Sequence, residues 1–331
     1  MNFTLIICTY MRPITLVKLL ETVATQSLYP NEILIIDGST NNETQKIIRD
    51  RVFKNVVYYQ VSDKDRGLTK QRNFGISKVS NFTHIVCFLD DDTLLDINYF
   101  KNLISTYNIH PEALGVNGYI TNEVKWKKKE RLPIAGEFKY DGWVRREGSR
   151  FLLRNKIGLL DDTLPGFMPP FSHGRSVSFL PPSGKIYPIE QMMGGIASYR
   201  KEIFNEMQFS KYFEGYGLYE DADFSLRLAK KGKLYINTKA KLEHHHDAAG
   251  RPNKFKYGKM VTRNGWYVWR VKYKKPRLIN RIKWNATAVL LITLRFINVL
   301  TTPNKKEAFT EALGRCYGLI SLIFNKPEIE R

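Results

Sequence analysis

Ile85-Val86-Cys87-Phe88-Leu89-Asp90-Asp91-Asp92 runs an apolar stretch straight into three carboxylates. The apolar part is short and rich in β-formers, so it reads as a strand buried on both faces. Three adjacent acids repel one another and cannot share a dry core, so they belong at a mouth beside solvent or a cation. In an open α/β sheet that mouth lies beyond the carboxyl ends of the strands, where ligands bind. Hard carboxylate oxygens there suit Mg²⁺ or Mn²⁺ carrying a substrate phosphate. The competing use of Asp91 or Asp92 is to cap the helix that follows. A single acid would fit a cap, whereas three after a buried strand fit a metal-diphosphate site.

The residues before this strand alternate strand and helix. Phe3 to Tyr10 is apolar and strand-like, and Arg12-Pro13 opens a helix whose Leu16, Leu19, Leu20 and Val23 recur at helical spacing. Glu32 to Ser39 is a second strand ending in Asp37-Gly38-Ser39. A helix over Gln45 to Val52, a strand over Val56 to Tyr59 and a helix over Leu68 to Lys78 lead back to the central strand. This alternation predicts an α/β fold with a Rossmann-like, doubly wound, mostly parallel sheet. Right-handed crossovers place the strand carboxyl ends on one rim. Thr9, Asp37 and Asp90 to Asp92 should therefore converge.

The alternation ends after a helix near Asn98 to Tyr107 and a strand over Leu114 to Ile120. Residues 123–190 are basic at Lys125 to Arg131 and Gly/Pro-rich from Leu164 to Pro188. A loop region that long is functional or disordered. Trp126, Trp143, Phe167, Phe171 and Tyr187 favour a packed, ligand-facing insertion. Regular structure resumes with a strand over Gly194 to Tyr199, a helix from Lys201, and a helix opened by Glu220-Asp221. Acids suit a helix N-terminus for dipole reasons alone, so position by itself does not make that pair catalytic. A strand over Leu234 to Asn237 leads to Glu243-His244-His245-His246-Asp247.

The chain has 331 residues, with 52 Lys and Arg against 32 Asp and Glu, a net charge of +20. Arg251 to Lys283 holds twelve basic residues and no acid, and Arg251 to Arg331 holds 18 basic against 4 acidic. Such a tail suits phosphates, an anionic membrane surface or nucleic acid. Two apolar helices are expected over Asn285 to Leu300 and Glu307 to Phe324. Arg295 and Asn298 leave the first short of the roughly 20 unbroken apolar residues of a spanning helix. Both fit a membrane surface, and the alternative is packing on the core or on a second subunit in a homodimer. Three scattered cysteines argue against a disulfide framework and for a reducing compartment. With the first strand at residue 3, no leader is expected ahead of it, and the cytoplasm is the expected location.

Together the segments Ile6 to Arg12, Glu32 to Ser39, Arg72-Asn73-Phe74-Gly75, Phe88 to Asp92, Gly194-Gly195, Tyr219-Glu220-Asp221 and His244 to His246 resemble one family. It is the family-two nucleotide-sugar glycosyltransferases of the GT-A fold, of the bacterial surface-polysaccharide type. The matches fall in that family's order and cover roughly residues 1–250. The resemblance implies a GT-A catalytic domain over 1–250, with a nucleotide-sugar half at 1–122 and an acceptor half at 123–250. A basic helical extension would follow at 251–331. Thr9, Tyr10, Arg12, Asp37 and Ser39 inherit the nucleotide base and ribose, and Arg66 and Arg72 the uracil or phosphates. Asp90, Asp91 and Gly195 join the donor site, and Asp92 is the foremost ligand for Mn²⁺ or Mg²⁺. Asp221 maps onto the general base, with Glu220 as its catalytic neighbour.

A histidine after the last strand often completes the family's metal site. Side chains alternate along a strand, so His244 and then His246 are the candidates and His245 faces away. A departing diphosphate needs a divalent metal, and an acceptor hydroxyl needs a base as it attacks from the opposite face. One carboxylate suffices for this inverting displacement, whereas a retaining double displacement needs a nucleophile as well. Arg251 is expected to add leaving-group charge. The donor is then a UDP- or dTDP-sugar and the acceptor a glycan or lipid-linked glycan on the inner face of the cell membrane. A basic nucleic-acid-binding protein using Lys254 to Lys283 would leave the acidic rim unexplained. A nucleotidyltransferase would want a Gly-rich phosphate loop where Thr9 to Pro13 stands. A catalytically dead sugar-nucleotide binder would not need Asp92 and Asp221 intact.

Overall fold

The computed structural model describes residues 1–129, 133–246 and 252–329. Arg251 and Asp247 lie outside them. In chain order the first elements are β1 (Phe3–Thr9), α1 (Pro13–Ala24), β2 (Glu32–Asp37), α2 (Glu43–Asp50), β3 (Val56–Gln60) and α3 (Leu68–Lys78). Then come β4 (Ile85–Asp90), β5 (Thr93–Leu95), α4 (Tyr99–Ile109) and β6 (Ala113–Ile120). The middle of the chain forms β7 (Lys127–Lys128), β8 (Glu137–Tyr140), β9 (Trp143–Arg146) and α5 (Ser149–Lys156). It is followed by β10 (Ile186–Ile189), β11 (Ala197–Arg200), α6 (Glu220–Leu228) and β12 (Lys233–His244). Three helices close the chain: α7 (Lys254–Lys272), α8 (Leu278–Thr301) and α9 (Lys305–Phe324).

Two compact units result, residues 1–126 with 180–250, and residues 127–179 with 251–331. This differs from the expected division at 250. The middle of the insertion groups with the carboxyl-terminal helices because their side chains bond to it. Trp269 Nε1 donates to the Pro170 carbonyl at 2.9 Å and Lys272 Nζ to that of Met168 at 2.8 Å.

The first unit is a mixed, mostly parallel sheet with order β10-β12-β6-β11-β4-β1-β2-β3, and β5 on the end of β12. The runs β4-β1-β2-β3 and β6-β12 are parallel, and β11 lies antiparallel between β4 and β6. Strands covered on both faces must be apolar throughout. Leu5, Ile7, Ile33, Ile35, Ile85, Cys87 and Leu89 share one core with Leu16, Leu19, Leu20 and Val23 of α1 and Phe100 and Leu103 of α4. On the other face α3 presses so close that a Cβ on Gly75 would sit 2.8 Å from Ile6. Register aligns Thr9 with Asp37 and Cys8 with Asp90, so the acidic ends do share a rim.

Several expected elements differ, and the stretch 123–190, read as a loop region, holds β7, β8, β9, α5 and β10. Gly194–Ile196 is a 3₁₀ turn ahead of β11, and Lys201–Asn205 is 3₁₀ rather than α-helical. The last strand is twelve residues long, because it pairs with β6 on both sides of an irregularity after Ile236 and with β5 from Leu242 to His244.

In the second unit β7-β9-β8 form a small antiparallel sheet. The helices α7 and α9 touch through glycine: a Cβ on Gly258 would lie 2.1 Å from the Glu311 carbonyl, and one on Gly314 2.1 Å from that of Phe255. Glu311 is buried and held by Arg295 of α8 at 2.7 Å and Arg315 of α9 at 2.6 Å. A buried carboxylate needs such partners.

Candidate active site

The turn after β1 and the turn after β2 are laced together. Met11 adopts a left-handed conformation (φ 57°), and its N–H donates to Ser39 Oγ at 2.8 Å. Asp37 is fully buried and accepts from the Ser39 N–H and the Tyr58 hydroxyl, both at 2.7 Å. Gln71 Nε2 donates to the Thr9 and Ile36 carbonyls at 3.1 and 2.7 Å, tying α3 to both strand ends. Arg66 Nε donates to the Gly38 carbonyl at 2.7 Å. Thr9, Asp37 and Ser39 therefore use their polar atoms to shape the rim. Tyr10 is exposed on it, and Arg12 and Arg66 are partly so. Gln71 and Tyr58 were not expected here, since a mid-helix Gln and a strand Tyr carry no distinguishing pattern.

At the end of β4 the three acids separate. Asp91 turns inward, accepting from Thr9 Oγ1 at 2.6 Å and Arg12 Nη1 at 3.0 Å. Burial pushes its carboxyl up to about 6 even against those partners. It is thus a tie between β1 and β4 rather than the donor-site acid expected. Asp90 and Asp92, two residues apart, face His244 instead. Ligand atoms of Asp90, Asp92 and His244 lie within 4.8 Å of one another, with His244 Nε2 at 3.0 Å from Asp92 Oδ1. Two carboxylates and one imidazole are a fitting donor set for a divalent cation.

His246 falls in a second possible set with His244 and Glu123, whose ligand atoms also lie within 4.8 Å of one another, rather than with Asp90 and Asp92. Pairing ends at His244, the chain turns with φ 48° at His246, and alternation no longer applies. Its Nε2 lies 2.8 Å from Glu123, which also stands 3.7 Å from His244 Nδ1. Burial opposes charge on His244, but its bonds to Asp92 and Glu123 prevail and push it up to about 10. Glu123 was missed as a lone acid; its signal is that it follows β6, the parallel neighbour of β12. A carboxylate behind a ligating imidazole fixes the ring and its tautomer. Glu123→Gln should weaken Mn²⁺ binding by about 10- to 100-fold with the fold kept. Calorimetric Mn²⁺ titration with UDP present checks this, and an unchanged affinity would remove Glu123 from the site.

The remaining side of the site is built on Gly194-Gly195. Arg72, expected to face the donor, is instead buried beneath the rim, because α3 lies flat on the sheet. Its guanidinium pairs with Glu220, stands 3.6 Å from Asp90, and lies over the rings of Phe88 and Phe209 at 5.6 and 5.2 Å. Glu220 is buried with it, and burial pushes its carboxyl upward against the pull of Arg72. Asp221 is less enclosed. Its Oδ2 accepts from the Gly194 N–H at 3.1 Å and its Oδ1 from Ala222 at 2.7 Å. Burial raises Asp221 above the ordinary carboxylate range, partly offset by those two N–H groups. The left-handed turn at Tyr219 (φ 71°) sets the pair at the start of α6.

A Cβ on Gly195 would fall 2.1 Å from Asp90 Oδ2, and one on Gly194 2.6 Å from Glu220 Oε1. No side chain fits at either place. Gly195→Ala should therefore displace Asp90 and cut Mn²⁺-dependent nucleotide binding by roughly 10-fold or more, since misplaced ligands cost that much. Wild-type affinity in the alanine variant would show that Asp90 has room to move.

A family model described as Glycosyl transferase family 2 matches residues 4–175, which is just over half of the chain. The O-antigen chain rhamnosyltransferase RfbN of Salmonella typhimurium is 29% identical over 104 residues, covering 31% of this chain and 32% of that protein. The glucosyl-dolichyl phosphate glucuronosyltransferase of Haloferax volcanii is 24% identical over 135 residues, covering 40% and 42%. The matched stretches thus span less than half of either relative. Among solved structures, GalNAc-T7 with UDP, GalNAc and Mn²⁺ superposes with a TM-score of 0.53 at 17% identity, covering 85% of this chain and 53% of that one. S. aureus TarS 1–349 with UDP gives 0.50 at 15% identity, covering 97% and 81%. These two share the fold. The matched residues 4–175 include β1 to the acidic end of β4, the part of the sheet on which the rim is built, and on that match the chain belongs to glycosyl transferase family 2.

Proposed function

We propose that the protein is an inverting glycosyltransferase that moves a sugar from a UDP- or dTDP-sugar to a hydroxyl of a glycan. The acceptor is carried on a lipid at the inner face of a cell membrane. One observation carries the reading: a single glycine pair abuts both halves of the chemistry. The Gly194 N–H holds Asp221, while Gly195 admits Asp90 of the Asp90, Asp92 and His244 cluster. A base and a cation-holding set are thereby fixed to one short turn.

Asp90, Asp92 and His244 would hold the divalent cation, which when bound offsets the charge of the departing diphosphate. Asp221 takes the acceptor proton as the hydroxyl oxygen bonds to the anomeric carbon and the bond to the diphosphate breaks. Its pKa, raised by burial, makes it a better base than an ordinary carboxylate. Arg72, fixed by Glu220 and two aromatic rings, steadies Asp90 from below. The exposed Tyr10, with Arg12 and Arg66, offers a flat ring and cations to the nucleotide.

The test is a thermal-unfolding screen of UDP- and dTDP-sugars with Mn²⁺, Mg²⁺ or EDTA. A ligand at a hundred times its dissociation constant adds about 2.7 kcal/mol. Protection by one sugar nucleotide only when a cation is present is expected. Protection by none of them would defeat the reading.

A further inference from the structure

The second unit brings together two segments that the sequence keeps apart, and their charges add. Residues 127–179 and 251–331 hold 29 basic residues against 10 acidic, a net of +19, while the first unit holds 23 against 22. Nearly the whole charge of the protein is therefore on one unit. Exposed basic side chains come from both segments: Lys127, Lys128 and Arg150 from the insertion, Lys275, Arg277 and Arg281 from the tail.

The same unit carries uncovered apolar stripes. Along α8, Leu278, Ile282, Val289, Ile297 and Leu300 are at least half exposed and recur at helical spacing. Along α9, Phe309, Leu313, Tyr317, Ile320 and Ile323 are exposed at helical spacing, and the two helices touch where the Phe296 and Phe309 rings stand 6.0 Å apart. Arg295 does not interrupt them, since it is used inside the bundle on Glu311 at 2.7 Å. α8 is 24 residues and contains an 18-residue window with a mean hydropathy of 1.4, long and apolar enough to cross a bilayer by length and composition. Yet Trp284, Thr287 and Ile292 of its inner face are buried. A helix with one face packed and one apolar face open, ringed by cations, is shaped to lie in an interface.

We propose that the second unit as a whole, insertion and tail together, docks on an anionic lipid surface, with the α8 and α9 stripes entering the headgroup layer. Charge complementarity selects the partner and the stripes hold it. Nucleic acid would use the charge but leave the stripes in water. The proposal deepens the membrane part of the proposed function and is independent of the sugar and of the reaction.

The full chain is sedimented with vesicles of neutral phosphatidylcholine, with and without about 30% phosphatidylglycerol, at low and high salt. Binding only to the anionic vesicles, loosened by salt, is expected. Each basic residue near such a surface is worth roughly a five-fold change in partition. Lys127→Ala, Lys128→Ala and Arg150→Ala together should then lower binding about a hundred-fold. Leu313→Glu with Ile320→Glu should lower it at least about ten-fold by charging the stripe. Circular dichroism and sugar-nucleotide binding serve as controls that these surface variants remain folded. Unchanged binding of the insertion variant, equal binding to neutral vesicles, or retention after carbonate extraction would each overturn the proposal. So would a dimer that Leu313→Glu and Ile320→Glu dissociate while no vesicle binding is seen.

Discussion

Replacing Asp92 with alanine is expected to abolish sugar transfer and cation-dependent nucleotide binding while the protein stays folded. Asp92 sits at the only point where the acid run, His244 and Arg12 come together among the described residues: His244 Nε2 is 3.0 Å away and Arg12 Nη1 3.7 Å. Losing the carboxylate leaves Asp90 and His244 as ligands, too few oxygens for a hard cation and one negative charge short. The cation is worth several kcal/mol to a departing diphosphate, so the rate should fall by about 10³-fold or more. The fold should survive because no core side chain is lost and the rim stays tied through Asp91 to Thr9 and Arg12. Melting temperature in EDTA, Mn²⁺ titration with UDP present, and turnover separate these effects. An Asp92→Ala enzyme as active as wild type, or full wild-type activity in EDTA, would remove the cation from the reaction. Asp92→Asn, which keeps the shape, should behave like alanine, because charge rather than bulk is what the site needs.

The parts of this site that local sequence reveals are those built by strands running one way. β1, β2 and β4 are covered on both faces, so each is an apolar run with its acid or threonine at the same end. Reading those ends places Thr9, Asp37 and Asp90 to Asp92 together, and register does so too. Elements that depend on distant partners leave no such trace. β11 is a strand where one is expected, but it starts three residues later, after a 3₁₀ turn, and its antiparallel place between β4 and β6 is not marked locally. Within the extension expected to be helical, α7 has no one-sided spacing of its own, because Trp266, Tyr267, Val268 and Trp269 are consecutive and all four are buried. The inward turn of Asp91 follows from simple alternation, but the burial of Arg72 does not. It depends on α3 lying against Ile6, and on Glu220, 148 residues away, being ready to pair with it. His246 lies beyond the end of β12, so alternation alone does not place it; it comes near His244 through Glu123 rather than through Asp90 and Asp92.

Asp221→Asn should leave donor binding intact and lower the transfer rate by roughly 10²-fold or more, the usual cost of losing a general base. The amide keeps an oxygen to accept from the Gly194 N–H, so the glycine turn and with it Asp90 stay in place. What disappears is the ability to take a proton. The pH profile gives a second readout. Burial raises Asp221, so its proton is lost above the ordinary carboxylate range, and the acid limb of the wild-type rate should lie correspondingly high. The base is ionised and active above that limb and inactive below it. In Asp221→Asn the limb should vanish along with most of the rate, whereas a merely structural residue would lower the rate at every pH and leave the limb in place. Glu220→Gln is the contrasting variant. Its carboxyl is buried against Arg72, so losing it should loosen Arg72 and Asp90, weakening cation-dependent nucleotide binding as well as the rate. If Glu220→Gln binds donor normally but removes the acid limb, and Asp221→Asn keeps both limb and rate, the proton goes to Glu220 and Asp221 is the support.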